Sequence, residues 1–170
     1  MLKKWAGCVV SLISGILGLA MSATSGMVTK NPFTTETTKA SEVLTNSDLL
    51  DASKLIGLES EFAWLKTVSV IMVVVSVILI VYGLVLLLKN INVIKSDNKV
   101  FGVINLVLSV ALLVVAILLI TATGSYCSAL SDVSRKTVTA EAGFYQPFML
   151  GVGLVATLVN CAVLFVRKKK

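Results

Sequence analysis

The sequence predicts an all-α integral membrane protein: a four-transmembrane-helix bundle with both termini cytoplasmic, a larger first extracellular loop and a smaller second one. Three observations predict it. Four uncharged apolar runs are each long enough to cross a bilayer, basic residues gather in alternate connectors, and aromatic residues cluster at the run ends. The chain has 170 residues, 56% of them hydrophobic, which leaves no room for a soluble domain with its own core. We therefore expect one four-span domain over residues 1–170, with spans at about 5–27, 64–88, 100–123 and 145–166. The outer loops would then cover about 28–63 and 124–144, and the inner loop about 89–99.

The second run sets the argument. Thr67 to Leu88 holds no charge, proline or amide and lies between Lys66 and Lys89. About 22 residues at ~1.5 Å rise span ~33 Å, against ~30 Å of bilayer hydrocarbon. A water-facing helix would carry a polar stripe with a period of ~3.6 residues; Ser69, Ser76 and Tyr82 make no such stripe. Trp5 to Thr29, Val100 to Ser131 and Ala142 to Val166 are also uncharged. Read alone, Lys3, Lys4, the apolar run and "LAMSA" have the form of a secretory signal peptide with a small-residue cleavage site. The expectation here is a retained first span.

Basic residues near span ends set orientation. With both termini inside, the inner segments carry Lys3, Lys4, Lys89, Lys95, Lys99, Arg167, Lys168, Lys169 and Lys170 against Asp97 alone. The outer segments carry Lys30, Lys39, Lys54, Lys66, Arg135 and Lys136 against eight acids. The formal net charge of +6 thus reads as a topology signal and a contact with anionic inner-leaflet lipid, not as nucleic-acid binding. The implied location is the plasma membrane. Trp5, Phe101 and Phe165 fall at the inner ends of spans, and Trp64, Tyr126, Phe144, Tyr145 and Phe148 at the outer ends. Pro147 falls in the first turn of the fourth span, where a missing N–H costs least.

Lipid is as apolar as leucine, so helices pair through close packing and polar contacts. The first span carries two adjacent lines of small residues, Gly7, Ser11, Gly15 and Ser14, Gly18, Ser22, Gly26. That face is expected to pack on neighbouring helices, with Gly151 and Gly153 serving the fourth span. A second pattern concerns depth. Ser11, Tyr82, Asn105 and Asn160 each stand six or seven residues from the basic group at the inner end of their span, about 9–10.5 Å. We expect an inward-facing polar layer in which Asn105 and Asn160 bond each other or Tyr82. The alternative is that each group bonds its own backbone, water or another chain.

In the first outer loop, the Thr-rich "TKNPFTTETTKASEV" suits a short hairpin. The following stretch suits a surface helix capped by Thr45, Asn46 or Ser47, with Leu49, Ala52, Leu55, Ile56 and Phe62 as its apolar face and Gly57 weakening its middle. "RKTVTAEA" in the second loop is expected to pair with the first as a strand. Cys127 is the one cysteine expected outside, as a free thiol; Cys8 and Cys161 fall near the inner face, where packing is the expected role and acylation the alternative.

The chain has no histidine, no charge within the span cores, no cysteine pair with metal or redox spacing and no phosphate-cradling glycine loop. Proton pumps, ion-coupled carriers and intramembrane proteases rely on ionisable groups at depth. These observations point away from catalysis and from any cofactor. Two function classes remain: an interaction or assembly protein that binds other membrane proteins or itself, and a pore between several copies. Ser11, Ser14, Ser22 and Ser25 would line such a pore. The discriminating feature is whether the small-residue face of the first span packs inside the bundle or faces a lumen. The layout of the termini and loops broadly resembles claudin-type tetraspans. The claudin first-loop pattern of Trp, Gly-Leu-Trp and two cysteines is absent, as are the tetraspanin Cys-Cys-Gly loop and paired connexin-type loop cysteines. No family is assigned on this layout.

Overall fold

The computed structural model describes residues 2–91, 98–135 and 137–165. In chain order its elements are α1 (Leu2–Ala20), a 3-10 turn (Met21–Ala23), β1 (Ser25–Lys30), β2 (Thr35–Lys39), α2 (Ala40–Thr45), α3 (Ser47–Leu55), α4 (Glu59–Asn90), α5 (Asn98–Val133), β3 (Thr139–Ala142) and α6 (Tyr145–Phe165). Helices α1, α4, α5 and α6 are each long and apolar enough to cross a membrane. The short elements form a cap at one end of this bundle. At the opposite end α1 and α5 begin, and α4 and α6 finish.

The outer faces of the long helices are apolar, unlike those of a water-soluble bundle, and polar side chains share the interior with an apolar core. Val70, Val74, Val77 and Val81 of α4, Val103, Val107 and Val114 of α5, and Val155 and Leu158 of α6 are exposed. Ser11, Ser14, Ser69, Ser76, Asn105, Ser109, Thr123 and Asn160 are buried. Apolar side chains on the outside, with polar ones kept to the interior, is the arrangement that hydrocarbon solvent favours. Several buried hydroxyls return to their own helix. Ser69 donates to the Leu65 carbonyl at 2.8 Å, Ser76 to Met72 at 2.9 Å and Thr123 to Leu119 at 2.8 Å.

Glycine lets the helix axes approach. A Cβ on Gly15 would lie 2.6 Å from the Ser76 carbonyl oxygen and from Ile80 Cγ1, and one on Gly83 would lie 2.6 Å from Leu12 Cγ. Helices α1 and α4 therefore pack backbone to backbone from both sides. Gly153 sets the same closeness between α6 and α5, where a Cβ would lie 2.9 Å from Leu113 Cα. Gly151 does not act this way: it is exposed, and a Cβ there would meet nothing within 4 Å. Ser22 is half-buried and spends its hydroxyl hydrogen on the Leu19 carbonyl at 2.6 Å, at the end of its own helix.

The cap is built from both connectors. Strand order is β2-β1-β3, all antiparallel, so the connector before α4 and the connector before α6 share one sheet through β1. Asn31 fixes the hairpin turn: its Oδ1 accepts from the Phe33 N–H at 2.9 Å, the Thr34 N–H at 2.6 Å and the Thr34 hydroxyl at 3.1 Å. Pro32 follows it with φ preset for a turn. The first span is shorter than expected, since the helix ends at Ala20 and β1 begins at Ser25. The strand takes over because Thr24 is extended and its carbonyl accepts from Ala40 N–H at 3.1 Å.

Three expectations for the connectors need correction. Asn46 caps α3, accepting from Asp48 N–H at 2.9 Å; of the expected apolar face Leu49 and Phe62 do pack on the core, whereas Ala52, Leu55 and Ile56 are exposed. Ser53 is the buried residue of α3 and Leu55 is 88% exposed. Ser53 Oγ lies 3.0 Å from the Tyr126 hydroxyl on α5 and donates to the Leu49 carbonyl at 2.7 Å, so a polar contact docks this helix. Gly57 does not weaken a helix interior. It ends α3 at φ +76°, with Gly57 N–H bonded to Lys54 and Leu58 N–H to Ser53, a Schellman arrangement. The third correction concerns Cys127. Helix α5 continues to Val133, so Cys127, a free thiol as expected, is a buried helical residue rather than part of the loop. Tyr126 beside it packs edge-on against Phe62, ring centroids 5.6 Å apart, and this burial extends the helix past the expected span end.

Two glycine substitutions test the close approach of α1 and α4. Gly15→Ala is expected to destabilise the bundle by about 1–3 kcal/mol through overpacking. Gly151→Ala is expected to be neutral or stabilising by less than about 1 kcal/mol, since alanine is the better helix former. Denaturant titration of the purified protein in detergent measures both.

Candidate functional site

The buried polar groups converge at one level of the bundle. Asn105 of α5 donates through Nδ2 to Asn160 Oδ1 at 2.7 Å and to the Gly7 carbonyl at 3.2 Å. The Ser11 hydroxyl donates to Asn105 Oδ1. Asn160 Nδ2 donates to Ser109 Oγ at 2.6 Å, and Ser109 donates to the Asn105 carbonyl at 2.9 Å. Three helices, α1, α5 and α6, thus share one amide–hydroxyl network. Ser11 and Asn160 are each 1% exposed, so these bonds form away from competing solvent. Gly7 makes room for it, because a Cβ there would lie 3.0 Å from Asn105 Nδ2.

Helix α4 does not supply the fourth member. Tyr82 donates to the Phe101 carbonyl at 2.7 Å and stacks on the Phe101 ring, with centroids 6.1 Å apart. Its hydroxyl is spent on the start of α5 rather than on the asparagines. The place expected for Tyr82 is held by Ser109, one turn beyond Asn105. That spacing is the signal that sequence could have offered: a serine at i+4 stands on the same helical face as the asparagine. Among the small residues, Ser14 is buried and Gly18 packs on the Ser76 side chain and Met149. Cys8 is buried as well, its thiol donating to the Gly83 carbonyl at 3.2 Å.

Between this network and the end of the bundle opposite the cap lies a cavity of about 250 Å³. It is lined by Gly7 and Cys8 of α1, Leu86, Lys89 and Asn90 of α4, Phe101, Gly102 and Asn105 of α5, and Asn160 and Val163 of α6. Lys89 is the surprise. A residue expected at the lipid surface is only 8% exposed and holds its Nζ 3.8 Å from the centre of the Phe101 ring. Its aliphatic stem packs inside, and its charge meets the ring face. Lys99 is exposed. The side chains of Lys3 and Lys4, and residues Lys95, Arg167, Lys168, Lys169 and Lys170, lie outside the described part of the structure.

A second polar joint stands at the cap. Gln146 Nε2 donates to the Gly26 carbonyl at 2.5 Å and to Thr123 Oγ1 at 3.1 Å, and the Gly143 N–H reaches the same Gly26 carbonyl at 3.0 Å. Tyr145 donates to the Gly18 carbonyl at 3.2 Å. The register of β1 shifts between Ser25 and Met27, and Gly26 is the intervening residue. A Cβ there would lie 2.8 Å from the Ala40 backbone, which explains a glycine at this bulge. Sequence reading placed Gly26 on a helical packing line and passed over Gln146. Among the described residues, no three His, Cys, Asp or Glu side chains are grouped to hold a metal ion.

The network predicts coupling. The pair Asn105→Leu and Asn160→Leu is expected to be non-additive by about 0.5–1.5 kcal/mol in a double-mutant cycle, the usual range for interhelical hydrogen bonds in membranes. Asn105→Leu with Tyr82→Phe is expected to be additive within about 0.5 kcal/mol. Unfolding of the four variants of each cycle in detergent measures the two couplings.

No family model matches the chain, and no curated protein or solved structure matches it.

Proposed function

We propose that the protein is a non-catalytic, multi-pass membrane protein that acts in interaction or assembly, as a tetraspan-type scaffold or an accessory subunit of a membrane complex. On this reading it resides in the plasma membrane with both termini cytoplasmic, the sheet-bearing cap extracellular, and its partners other membrane proteins or further copies of itself. The charge distribution of the connectors supports this orientation.

The observation that carries the reading is where the small-residue face of α1 points. Ser11 and Ser14 are 1% and 4% exposed, Gly15 and Gly18 pack on α4, and Ser11 is bonded to Asn105. Groups spent inside one bundle cannot also line a lumen between copies. This argues against the pore alternative. What remains for recognition is the apolar outer faces and the cap. The cap presents Phe33, 94% exposed, on a turn that Asn31 fixes with three hydrogen bonds. A rigid exposed aromatic loses little conformational entropy on contact, which favours it as an anchor for a partner.

Reconstitution separates the two classes. The purified protein in nanodiscs is expected as a particle without an axial opening, and planar-bilayer recordings are expected to show no conductance above lipid alone. A closed ring with an axial opening and steady conductance would overturn the assembly reading. Labelling of a tag at Lys170 tests the orientation: it is expected only after intact cells are permeabilised.

A further inference from the structure

We infer that the outer edge of β2 takes up an extended strand of a partner protein, paired through the backbone of Thr35 and Thr37, with a basic residue of that strand facing Glu36. The inference deepens the assembly reading and rests on it: it names how the cap holds a partner and what chemistry that partner presents.

The ladder itself determines which groups are left over. Opposed residues of an antiparallel pair alternate between those that exchange both hydrogen bonds and those whose N–H and C=O point away from each other. Asn31 N–H bonds the Thr34 carbonyl at 2.9 Å, so these two are a bonded pair. The register then makes Thr29–Glu36 and Met27–Thr38 bonded pairs as well, and turns the backbone of Val28, Lys30, Thr35 and Thr37 away from the hairpin axis. For Val28 and Lys30 that direction is toward β3, opposite Glu141 and Thr139. The far side of β3 is covered in its turn: Ala140 N–H donates to Ser131 Oγ at 3.3 Å, and Ser134 Oγ donates to the Val138 carbonyl at 3.0 Å. On the other edge of the sheet, β2 lacks such bonds. Thr35, Glu36 and Thr37 are exposed, and among the described residues the outward N–H and C=O groups of Thr35 and Thr37 have no protein partner. The open edge ends where Lys39 N–H is taken by the Glu42 carboxylate at 2.9 Å. Two donors and two acceptors thus stand in ladder spacing, the arrangement to which an extended segment adds as a further strand.

Charge selects the occupant. A second copy that used all four groups would pair Thr35 of one copy with Thr37 of the other. That register sets the two Glu36 side chains directly opposite each other, at the close position where Cα atoms are ~4.5 Å apart. Like charges there are destabilising, and opposite charges stabilising. The other two-fold register, Thr37 against Thr37, sets Thr35 against Lys39, whose N–H is already spent. Charges on edge strands are a known means of keeping like copies from pairing. Glu36 therefore disfavours a second copy and favours a lysine or arginine from a different chain. Phe33, 94% exposed on the adjoining turn, offers that chain an apolar contact beyond the end of the strand.

The test uses the full-length, isotope-labelled protein in phosphatidylcholine nanodiscs and three acetylated, amidated peptides at millimolar concentration. These are Thr-Val-Lys-Val-Thr, Thr-Val-Glu-Val-Thr, and the lysine peptide N-methylated at both valines. Amide hydrogen exchange is read by NMR. The lysine peptide is expected to slow exchange at Thr35 and Thr37 and to leave Glu36 and Thr38, already in the ladder, unchanged. The glutamate peptide is expected to bind about fivefold more weakly, the factor that ~1 kcal/mol between opposite and like pairs gives. Glu36→Lys is expected to reverse that order. The N-methylated peptide keeps the charge but cannot donate to β2, and is expected to give no protection. Thr37→Pro, which an edge strand tolerates where the N–H faces solvent, is expected to abolish protection at Thr35. No protection by the lysine peptide, equal protection by its N-methylated form, protection of Thr35 retained in Thr37→Pro, or a preference unchanged in Glu36→Lys overturns the site. Protection that rises without peptide as copies per nanodisc increase identifies a second copy and overturns the assigned partner. The particle shape and conductance measurements decide the assembly reading separately, so a closed, non-conducting protein that ignores these peptides loses the edge site alone.

Discussion

The hydrogen bond from Asn105 to Asn160 is the interaction on which the bundle depends. In water, burial of valine and leucine would drive these helices together. In hydrocarbon that drive vanishes, because the lipid is as apolar as the side chains. An amide left unpaired there costs several kcal/mol. The two asparagines therefore favour arrangements that bring α5 and α6 into one register, and Ser11 and the Gly7 carbonyl bring α1 to the same level. Each bond contributes little net energy, on average under about 1 kcal/mol. Their larger effect is selection: a helix shifted by one turn would strand at least one amide. Close glycine contacts then add dispersion along the lengths that the polar groups have aligned, Gly15 and Gly83 between α1 and α4, and Gly153 between α5 and α6.

The cap solves the same problem by a different route. Backbone N–H and C=O groups just beyond the long helices need partners, and the three-stranded sheet supplies them. Because β1 is central, the strand that leaves α1 is bonded on one side to its own hairpin and on the other to the strand that leads into α6. Gly26 joins the layers, its carbonyl accepting from Gly143 and Gln146 at once. Ser53 and Tyr126 then fasten α3 to α5. Each of the four long helices is thus tied to the cap by sequence connection or by hydrogen bond, and the cap holds one end of the bundle as the asparagine network holds the other.

The spans were legible because their signal is uniform. No charge over about 20 residues needs no knowledge of neighbours. The depths of Ser11, Asn105 and Asn160 were legible too, since rise per residue is fixed by the helix. Tyr82 shows the limit of that argument. Depth gives the level of a side chain but not the direction in which a long one reaches, and Tyr82 reaches to the Phe101 carbonyl. Gly151 and Gly153 make the same point, being two residues apart on α6 and so on opposite faces, of which only Gly153 meets α5. Leu55 misled because hydrophobicity stood in for burial, whereas Ser53 is buried through a hydroxyl contact with a residue 73 positions away. Cys127 misled because the helix outlasts the apolar run. Tertiary packing of Tyr126 on Phe62 decides that boundary, and such long-range contacts leave no local trace.

The asparagine network also bears on what the protein can do. A continuous water path through one bundle needs polar groups whose hydrogen-bonding capacity is available along its length. Here Asn105 is spent in full on Ser11, Gly7 and Asn160, and Ser69, Ser76 and Thr123 return their hydroxyl hydrogens to backbone carbonyls. The interior between that level and the cap is filled by Met72, Leu79, Leu112, Leu119 and Met149, all fully buried. A permeating ion would have to break the network and displace this core. The same network forms the inner wall of the cavity at the far end, where Asn105 and Asn160 line it. The polar residues of the bundle interior are thereby divided between two tasks: Asn105 and Asn160 hold α1, α5 and α6 in register, and Ser69, Ser76 and Thr123 close hydrogen bonds on their own helices.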